Sequence, residues 1–440
     1  MAAPKQHRTP VNRPDRTHDV ILLGAGASGL MCAMTAAARG RSVLLLDHAP
    51  KAGCKLSITG GGKCNLTNRR IGPEDYEGEN PDFCRSAVTR FPSSRLIGLF
   101  EEAGIPLEER EHGQMFCRRS AKDAVRFFTG RCQSLGCAFR WEEKIIDVIT
   151  QAAPAPQTGT TAVRYLVRTA SGEYAARNLV IALGGPAWPQ VGATGRGYEI
   201  ARAFGHRIVP IRPALSGLIM PSGWAPGDLS GVSTAATIRV VPAGDADSSR
   251  PIAAKKGGRQ APGRNPAAAA LPLLFTHRGI SGPAALQASL YWRPGFSLLV
   301  DFLPQLKPEC GLDAIFDAPG AGKALCRNLL RRVLPDRLCD ALLPEAIGKK
   351  KAAELNRHDR DMLTALFRAH TVTPVSSEGF AKAEVTAGGV STEDISSRTM
   401  ESKRMPGLYF CGEVLDVTGR LGGYNLHWAF ASGHAVGEAL

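Results

Sequence analysis

Three glycines and one aspartate have the spacing that most clearly indicates chemistry in this chain. Gly24, Gly26 and Gly29 form a G-x-G-x-x-G sequence directly after the apolar run 19–23. In this pattern the first glycine permits a tight turn, the second lets the backbone approach a pyrophosphate, and the third lets a helix pack closely on the strand. Asp47 ends the next apolar run, where a carboxylate can bind an adenosine ribose. The spacing therefore predicts a dinucleotide site.

The elements needed to position these residues are predicted on both sides of them. Residues 30–39 have the small side chains of a closely packed helix, Gly40 ends that helix, and 42–46 is predicted to be a second buried strand. The result is a complete βαβ unit, whose helix N-terminus adds free N–H groups and positive dipole character. An ordinary glycine-rich turn in an α/β domain is the alternative, and it would not require all these features together.

Three further glycine segments predict the remaining walls of a flavin site. Gly184 and Gly185 follow a predicted strand, Gly412 and Glu413 follow another, and residues 422–425 begin the last helix. Such segments allow close backbone approach, a carboxylate for ribityl hydroxyls, and N–H groups for the flavin edge that becomes negative on reduction. Each segment taken alone is equally consistent with a turn. Because the three segments occur together after the first βαβ unit, the tightly held cofactor is predicted to be FAD. The single dinucleotide fingerprint excludes the two-Rossmann plan of the disulfide reductases.

Length and cysteine usage limit the class of protein. The 440 residues are enough for two or three domains. No apolar run approaches the roughly eighteen residues that span a bilayer, and the basic start lacks the apolar stretch of a signal peptide. The 11 cysteines have neither C-x-x-C pairs nor zinc-ligand spacing, which predicts reduced thiols and no metal site. We expect a cytoplasmic protein.

Basic residues outnumber acidic ones. Lys and Arg together number 54 and Asp and Glu 40, so the net charge is +14. This balance favours a polyanionic partner. A generally basic, solvated surface explains the same charge equally well, and the charge alone does not decide between them.

Changes in composition divide the chain. Short strand-like runs begin after residue 212, helical spacing fills 321–370, and a strand and turn at 407–413 return the chain to its first domain. The predicted organisation is a disordered basic tail at 1–17, a first FAD-binding part at 18–212, a β-rich substrate domain at 213–305 with a mobile basic loop at 242–270, a helical subdomain at 306–372, and a second FAD-binding part at 373–440.

Four longer motifs are specific enough to indicate a family. They are ITGGGKCNLTN at 58–68, LGGPAWPQVGATGRGYEIARAFGH at 183–206, LFTHRGISGPAAL at 274–286, and AEVTAGGVSTEDI with the segment that follows it to the last helix. Through these motifs nearly the whole chain resembles the YhiN/BaiN/RdsA family of flavoproteins, which are also catalogued as aminoacetone-oxidase-like FAD enzymes. Asp47 stands where that family usually has Glu, and the basic segments look like additions.

The resemblance implies a fold and a set of activities. The implied fold is α/β, with a glutathione-reductase-type FAD-binding Rossmann domain interrupted by a β-barrel-like domain and a small helical domain. Activities attached to the family are reduction of uracil to dihydrouridine in 23S ribosomal RNA, reduction of conjugated C=C bonds in bile acids, and oxidation of aminoacetone. We therefore expect an FAD-dependent oxidoreductase that uses NAD(P)H as a transient reductant, with ribosomal RNA as its substrate. A small-molecule flavoenzyme and a non-catalytic flavin-binding protein are the alternatives.

The resemblance also implies which residues touch the cofactor. The implied set is Gly24, Gly26, Ala27, Ser28, Gly29, Asp47, Lys55, Gly61, Gly62, Lys63, Cys64, Asn65, Gly184, Gly185, Gly412, Glu413, Gly422, Gly423, Tyr424 and Asn425. For Glu413 and the nearby Asp416, capping of the last helix is the alternative role.

Reduction of an activated C=C bond needs a hydride from the flavin and a proton from a positioned acid. Cys64, Tyr424 and His427 are the candidate proton donors, because all three lie on segments predicted to face the flavin. Their structural alternatives are a buried thiol, a core aromatic ring and a helix-capping imidazole. His277, in a turn of the second domain, is a weaker candidate. The sequence does not choose among them.

Overall fold

A computed structural model describes residues 17–150, 164–224, 229–242, 270–307 and 310–440. Residues 1–16 of the predicted tail and 243–269 of the predicted basic loop lie outside these ranges. The chain forms two compact units, the first from Met1–Arg212 and Thr386–Leu440, the second from Pro213–Val385.

The strands of the described residues are β1 Thr17–Leu23, β2 Val43–Leu46, β3 Asn65–Asn68, β4 Tyr76–Glu77, β5 Leu107–Glu109, β6 Gln114–Cys117, β7 Ala138–Arg140, β8 Ile145–Thr150, β9 Tyr165–Thr169, β10 Glu173–Ile181, β11 Ile208–Ala214, β12 Leu218–Ile219, β13 Ser233–Pro242, β14 Leu271–Thr276, β15 Gly279–Ser281, β16 Phe296–Asp301, β17 His370–Val372, β18 Ser376–Ser377, β19 Val385–Val390, β20 Leu408–Phe410 and β21 Thr418–Gly419.

The helices of the same residues are α1 Ala27–Ala38, α2 Thr59–Gly62, α3 Arg85–Arg90, α4 Ser93–Glu102, α5 Ala121–Ser134, α6 Arg196–Ala203, α7 Gly282–Ser289, α8 Asp313–Phe316, α9 Cys326–Leu330, α10 Asp336–Leu342, α11 Glu345–Gly348, α12 Arg357–Phe367 and α13 Tyr424–Ala439. Across the described ranges, none of these helices is long and apolar enough to cross a membrane.

A mainly parallel sheet of seven strands forms the centre of the first unit. Its order is β7-β2-β1-β10-β9-β8, and β20 also pairs with β10. β1 runs parallel to β2 and β10, whereas β9 and β8 add an antiparallel edge. The last four residues of β1 are buried, as expected for a parallel strand covered on both faces. The βαβ unit predicted at the start of the chain lies at the middle of this sheet.

The first and last helices of this unit pack closely because small residues line their contact. A Cβ atom placed on Gly433 would lie 2.3 Å from the backbone oxygen of Ser28, and one on Gly437 would lie 2.5 Å from Cβ of Thr35. Only glycine permits such a separation. The C-terminal segment therefore returns to the helix that follows the first strand.

A small sheet of three strands, in the order β3-β6-β5, carries the glycine-rich segment of the sequence. Asn65 in β3 lies opposite Phe116 in β6, and the pairing is antiparallel. The glycine-rich segment 53–68 thus ends in a regular strand. Leu66 and Thr67 are fully buried, and an apolar residue followed by a β-branched one is sufficient for a short strand.

The second unit combines a β-sheet with a group of helices. Its seven strands follow the order β17-β16-β13-β14-β15-β12-β18. The long strand β13 pairs with β14 through its first residues and with β16 through its later ones. This half-barrel sheet and the helices α8 to α12 confirm the mixed α/β class predicted from the sequence.

The second unit ends later than the sequence analysis placed it. Residues 373–385 were predicted to belong to the returning FAD-binding part, but the unit extends to Val385. The reason is pairing within the unit, because β18 is antiparallel to β12 and the N–H of Glu384 donates to the backbone oxygen of Leu215. A run of short polar residues gave no sign of this strand.

Candidate active site

The three glycines of the fingerprint have distinct steric environments. A Cβ on Gly24 would lie 2.5 Å from the backbone oxygen of Ala182, and one on Gly29 would lie 2.0 Å from the backbone oxygen of Gly24. A Cβ on Gly26 would meet no atom within 4 Å. Gly24 and Gly29 are thus required by the packing of the chain itself. Gly26 instead leaves open space beside the first turn of α1, which begins at Ala27. The N–H groups of that turn border this space, and this is the cradle that a pyrophosphate needs.

Asp47 holds the loop between β1 and α1 from its inner side. Its two carboxylate oxygens accept the N–H groups of Ala25, at 2.7 Å, and Ala49, at 2.8 Å, and the residue is only 9% exposed. Each carboxylate oxygen has a second acceptor position, so the predicted ribose contact remains open to it. The carboxylate therefore fixes the glycine loop whether or not it also contacts a ribose.

Glu413 lies at the centre of a second group of site residues. One carboxylate oxygen accepts from Nζ of Lys55 at 2.7 Å, and the other accepts from the N–H of Thr386 at 2.7 Å. A Cβ on Gly184 would lie 4.0 Å from the same carboxylate. The structure thus brings together Lys55, Gly184 and Glu413, which the sequence placed at one site. Glu413 does not cap the last helix, whose N-cap residue is Gly423 and whose N-terminus has no side-chain cap hydrogen bond.

Gly185 is enclosed by two hydroxyl groups that the sequence analysis did not select. A Cβ on Gly185 would lie 2.5 Å from Oγ1 of Thr386 and 2.7 Å from the hydroxyl of Tyr198. The Tyr198 hydroxyl is buried and has no hydrogen-bond partner within the described chain, and burial raises the pKa of its phenol. Both residues lie in motifs quoted for the family resemblance, but their types alone gave no site signal.

The N-terminus of α13 forms a further wall. Gly423 has φ of +95°, and a Cβ there would lie 2.5 Å from the backbone oxygen of Thr67, so only glycine fits. The Asn425 side chain accepts from the N–H of Gly419 and donates to its carbonyl, each at 2.8 Å. The Asn425 side chain thus closes the turn that precedes the helix, and the predicted cofactor contact of this residue stays a prediction.

Asp416 does not cap this helix either. It is 4% exposed, and its carboxylate accepts the N–H of Glu79 at 2.8 Å. Burial raises the pKa of Asp416 above its usual range. Asp416 therefore links the segment that precedes the last helix to the backbone at Glu79.

The glycine-rich loop ends in a left-handed turn. Gly60, Gly61 and Gly62 have φ of +57°, +64° and +81°. A Cβ on Gly60 would lie 2.8 Å from the backbone nitrogen of Asn65, whereas Gly61 and Gly62 face open space. Nζ of Lys63 donates to the carbonyl of Arg118 at 2.7 Å. The loop thus presents bare backbone beside the small sheet.

Asn65 and Gln114 form an amide pair next to the start of α13. Nδ2 of Asn65 donates to Oε1 of Gln114 at 2.9 Å, while Oδ1 of Asn65 is buried without a partner in the described chain. A Cβ on Gly423 would lie 2.9 Å from that Oδ1, and one on Gly422 would lie 3.5 Å from Cγ of Gln114. A buried acceptor without a donor is costly, so this oxygen is suited to the N–H of a bound ring. Gln114 was missed because no motif surrounds it.

Burial argues against two of the three candidate proton donors. Cys64 is 0% exposed, and its hydrogen bond with the Cys117 thiol together with burial raises its pKa well above the usual range. His427 is also 0% exposed, its Nδ1 lies 2.9 Å from Oγ1 of Thr67, and burial lowers its pKa to about 4. Neither side chain has surface with which to touch a ligand. Tyr424 is half-buried, and burial raises its pKa to about 12, so its phenol keeps its proton at neutral pH.

His277 lies in a separate part of the chain. It is exposed in the turn between β14 and β15 of the second unit. No contact of its side chain gives it a role in the chemistry described above.

Taken together, these positions fit a bound flavin dinucleotide. Gly26 leaves room for a pyrophosphate, Asp47 and Glu413 are carboxylates placed for hydroxyl groups, and Asn65 offers an unpaired acceptor for a ring N–H. All belong to the first unit.

A model of one protein family matches residues 18–439 of this chain, and its description is "HI0933-like protein Rossmann domain". The chain belongs to this family. The match spans both units and confirms the resemblance and the Rossmann domain predicted from the sequence. The family is one of flavin-dependent oxidoreductases.

Curated relatives are similar over nearly their whole length. A ribosomal RNA dihydrouridine synthase of Haemophilus influenzae is 36% identical over 96% of this chain and 98% of its own. A protein of the same name from Escherichia coli is 36% identical, also over 96% of this chain and 98% of its own. A 3-dehydro-bile acid delta(4,6)-reductase of Clostridium scindens is 29% identical over 95% and 98%, respectively.

Substitution of two neighbouring glycines separates packing from ligand binding. We expect Gly26→Ala to leave the free energy of unfolding within about 0.5 kcal/mol of wild type, because its Cβ meets no atom within 4 Å. Retained FAD, measured by absorbance of the purified protein, should fall at least ~10-fold, since the methyl group occupies the pyrophosphate cradle. The matched Gly29→Ala should lower stability by roughly 2–4 kcal/mol through its 2.0 Å clash. Full flavin retention by Gly26→Ala would contradict this placement.

The buried imidazole of His427 makes stability depend on pH. Its pKa is about 4 in the folded chain and returns to an ordinary value of about 6.5 on unfolding. The unfolded chain therefore binds the proton first as pH falls from about 6.5 to about 4, and the unfolding free energy should drop by roughly 3 kcal/mol. His427→Gln should remove that component in urea unfolding at several pH values.

His434 makes a contribution of the same sign that persists in the variant, because burial also lowers its pKa to about 4. His112→Asn is the control, because His112 is exposed and has φ of +58°, which Asn tolerates. An unchanged pH dependence in His427→Gln would show that the imidazole is not held neutral.

Proposed function

We propose that the chain is an FAD-dependent oxidoreductase that reduces uridine to dihydrouridine in 23S ribosomal RNA. The observation that carries the proposal is the likeness to the two ribosomal RNA dihydrouridine synthases, each 36% identical over 96% of the chain. The bile acid reductase is more distant, at 29% identity. The net charge of +14 also favours a polyanionic substrate over an uncharged small molecule.

In this proposal the first unit binds FAD through residues whose positions are already held by contacts within the chain. The pyrophosphate takes the open side of Gly26, a ribose hydroxyl takes the remaining acceptor positions of Asp47, and Glu413 faces the ribityl hydroxyls. Asn65 Oδ1 accepts the ring N–H. NAD(P)H is the proposed reductant, and it visits the site transiently because the sequence has a single dinucleotide fingerprint, Gly24–Gly29.

The chemistry adds a hydride to one carbon of the uracil C=C bond and a proton to the other. The reduced flavin, when bound, supplies the hydride. The chain must supply the proton from a group that is protonated at neutral pH and has surface at the site. Tyr424 is half-buried and its phenol keeps its proton at neutral pH, whereas Cys64 and His427 are 0% exposed, and these facts support Tyr424 over the other two. We assign the proton donor role to Tyr424.

Complementation in cells tests the substrate. In an Escherichia coli strain deleted for its own related synthase, expression of this chain should restore dihydrouridine in 23S ribosomal RNA, measured by mass spectrometry of nuclease digests. Gly26→Ala, which is expected to fold without retaining FAD, is the matched control and should not restore it. Absence of restored dihydrouridine with a yellow, folded wild-type protein would exclude the ribosomal RNA proposal.

A second candidate function follows from the bile acid reductase. Its likeness over 95% of this chain favours reduction of a conjugated small-molecule enone by the same site. Rapid oxidation of the pre-reduced protein by a steroid enone, without any effect on ribosomal RNA, would support this alternative and replace the first.

Removal of one hydroxyl tests the proton donor. Tyr424→Phe, reduced beforehand with dithionite, should form dihydrouridine at least ~10²-fold more slowly in a single turnover, because the proton transfer step loses its acid. Flavin content should be unchanged. Tyr174→Phe is the control, since its hydroxyl donates to Oε1 of Glu143 and the residue is not among the candidate site residues. Equal rates for Tyr424→Phe and wild type would remove Tyr424 from this role.

A further inference from the structure

Four cationic side chains cluster beside the glycine-rich loop, and we call them the basic rim: Lys63, Arg118, Arg119 and Lys122. Lys63 follows the left-handed turn, and its Nζ donates to the carbonyl of Arg118 at 2.7 Å. Arg118 and Arg119 come directly after β6, and Lys122 lies in the first turn of α5. Both arginines and Lys122 are exposed.

The basic rim adjoins the candidate active site through the two strands that carry both. β3 begins at Asn65, whose side chain bonds Gln114 in β6, next to the start of α13. The same strand β6 ends at Cys117, whose N–H donates to the carbonyl of Lys63 at 3.0 Å. Asn65 therefore lies at the same end of this short β-ladder as the rim, two residues after Lys63, and Gln114 begins the partner strand at the other end.

The acidic residues near the rim are neutralised by other arginines. Glu108 pairs with Arg110 at 2.6 Å, and Asp123 pairs with Arg126. The hydrogen bond from Arg110 holds the pKa of Glu108 below its usual value. Among the described residues no carboxylate forms an ion pair with a member of the basic rim. The charges of Lys63 and Arg118 also lower the pKa of Glu108, so these two share that carboxylate with Arg110. The rim still carries more positive charge than the carboxylates beside it, which favours an external anion.

The surface next to the rim fits a nucleic acid strand better than a lipid surface. Gly60 and Gly61 expose backbone there. Among the described residues of the glycine-rich loop, Ile58 is the exposed large apolar side chain, and 37% of it is exposed. A membrane-binding surface combines its cations with a broad face of apolar side chains. Phosphates spaced along a strand need separated cations and no such face.

We propose that the basic rim binds the phosphate backbone of the RNA whose uridine enters the active site. This inference rests on the proposed function and assigns the surface that receives the substrate. The contacts are to phosphate and carry no sequence information, so they position the strand while the site selects the base. Binding through them is strongly dependent on salt, because each neutralised phosphate releases counterions.

Removal of two rim charges tests the inference. The variant Arg118→Ala/Arg119→Ala and wild-type holoprotein are titrated into fluorescein-labelled oligouridine from about 50 to about 200 mM salt, and anisotropy gives the affinity. We expect the slope of log affinity against log salt to be smaller by about 1.4, because each single-strand phosphate contact contributes about 0.7. The affinity at the lowest salt should fall about 10-fold or more.

The control removes the same charge from another face of the same unit. Arg39, which follows α1, and Arg131, in the last turn of α5, are both exposed, and Arg39→Ala/Arg131→Ala should keep the wild-type slope to within experimental error. A wild-type slope in the rim variant, or equal losses in both variants, would overturn the inference. So would the absence of oligouridine binding by wild type, or rim-dependent binding to phosphatidylserine vesicles in its place.

Failure of this inference is distinguishable from failure of the proposed function. If wild type and the rim variant form dihydrouridine at equal rates and bind RNA with equal affinity, the proposed function is supported and the RNA-binding role of the rim is refuted. If the wild-type protein binds RNA through the rim but forms no dihydrouridine, the RNA-binding role of the rim is supported and the proposed function is refuted. Unchanged flavin content in the rim variant shows that its cofactor site is intact.

Discussion

The absence of a side chain at Gly29 and at Gly433 is the constraint on which the first unit depends. A Cβ at these positions would come within 2.0 Å and 2.3 Å of the backbone oxygens of Gly24 and Ser28. The start of α1 is therefore held by its own strand on one side and by the last helix on the other. Residues 412–423 reach the site on the segment that leads into that helix, so their positions follow from this crossing.

Most polar side chains of the site bind the chain itself. Asp47 fixes the glycine loop, Glu413 joins Lys55 to Thr386, and Asn425 closes the turn before α13. Groups held in this way do not need to reorganise when a ligand binds, and this is the advantage of a preorganised site. The backbone N–H groups and the few unpaired acceptors are then what the ligand meets.

The sequence predicted the parts of the site that backbone geometry determines. The spacing of Gly24 to Gly29 requires a strand, a turn and a helix in one order, and those elements are present. It could not predict which face of a segment a side chain occupies. Cys64 and His427 lie on the correct segments but are fully buried, and Gln114 approaches Asn65 only because β3 pairs with β6. Such facts depend on pairing between distant segments.

The insertion of the second unit into the first has a consequence for how the protein is made. β20 pairs with β10 across more than half of the sequence, and α13 packs on α1 from the opposite terminus. During synthesis the part of β10 that pairs with β20 therefore stays unpaired until residues 408–410 emerge from the ribosome. Contacts so distant in sequence form slowly. The intervening unit, which is contiguous in the chain, can fold first, so a nascent chain completes its first unit only after residues 408–439 have been synthesised.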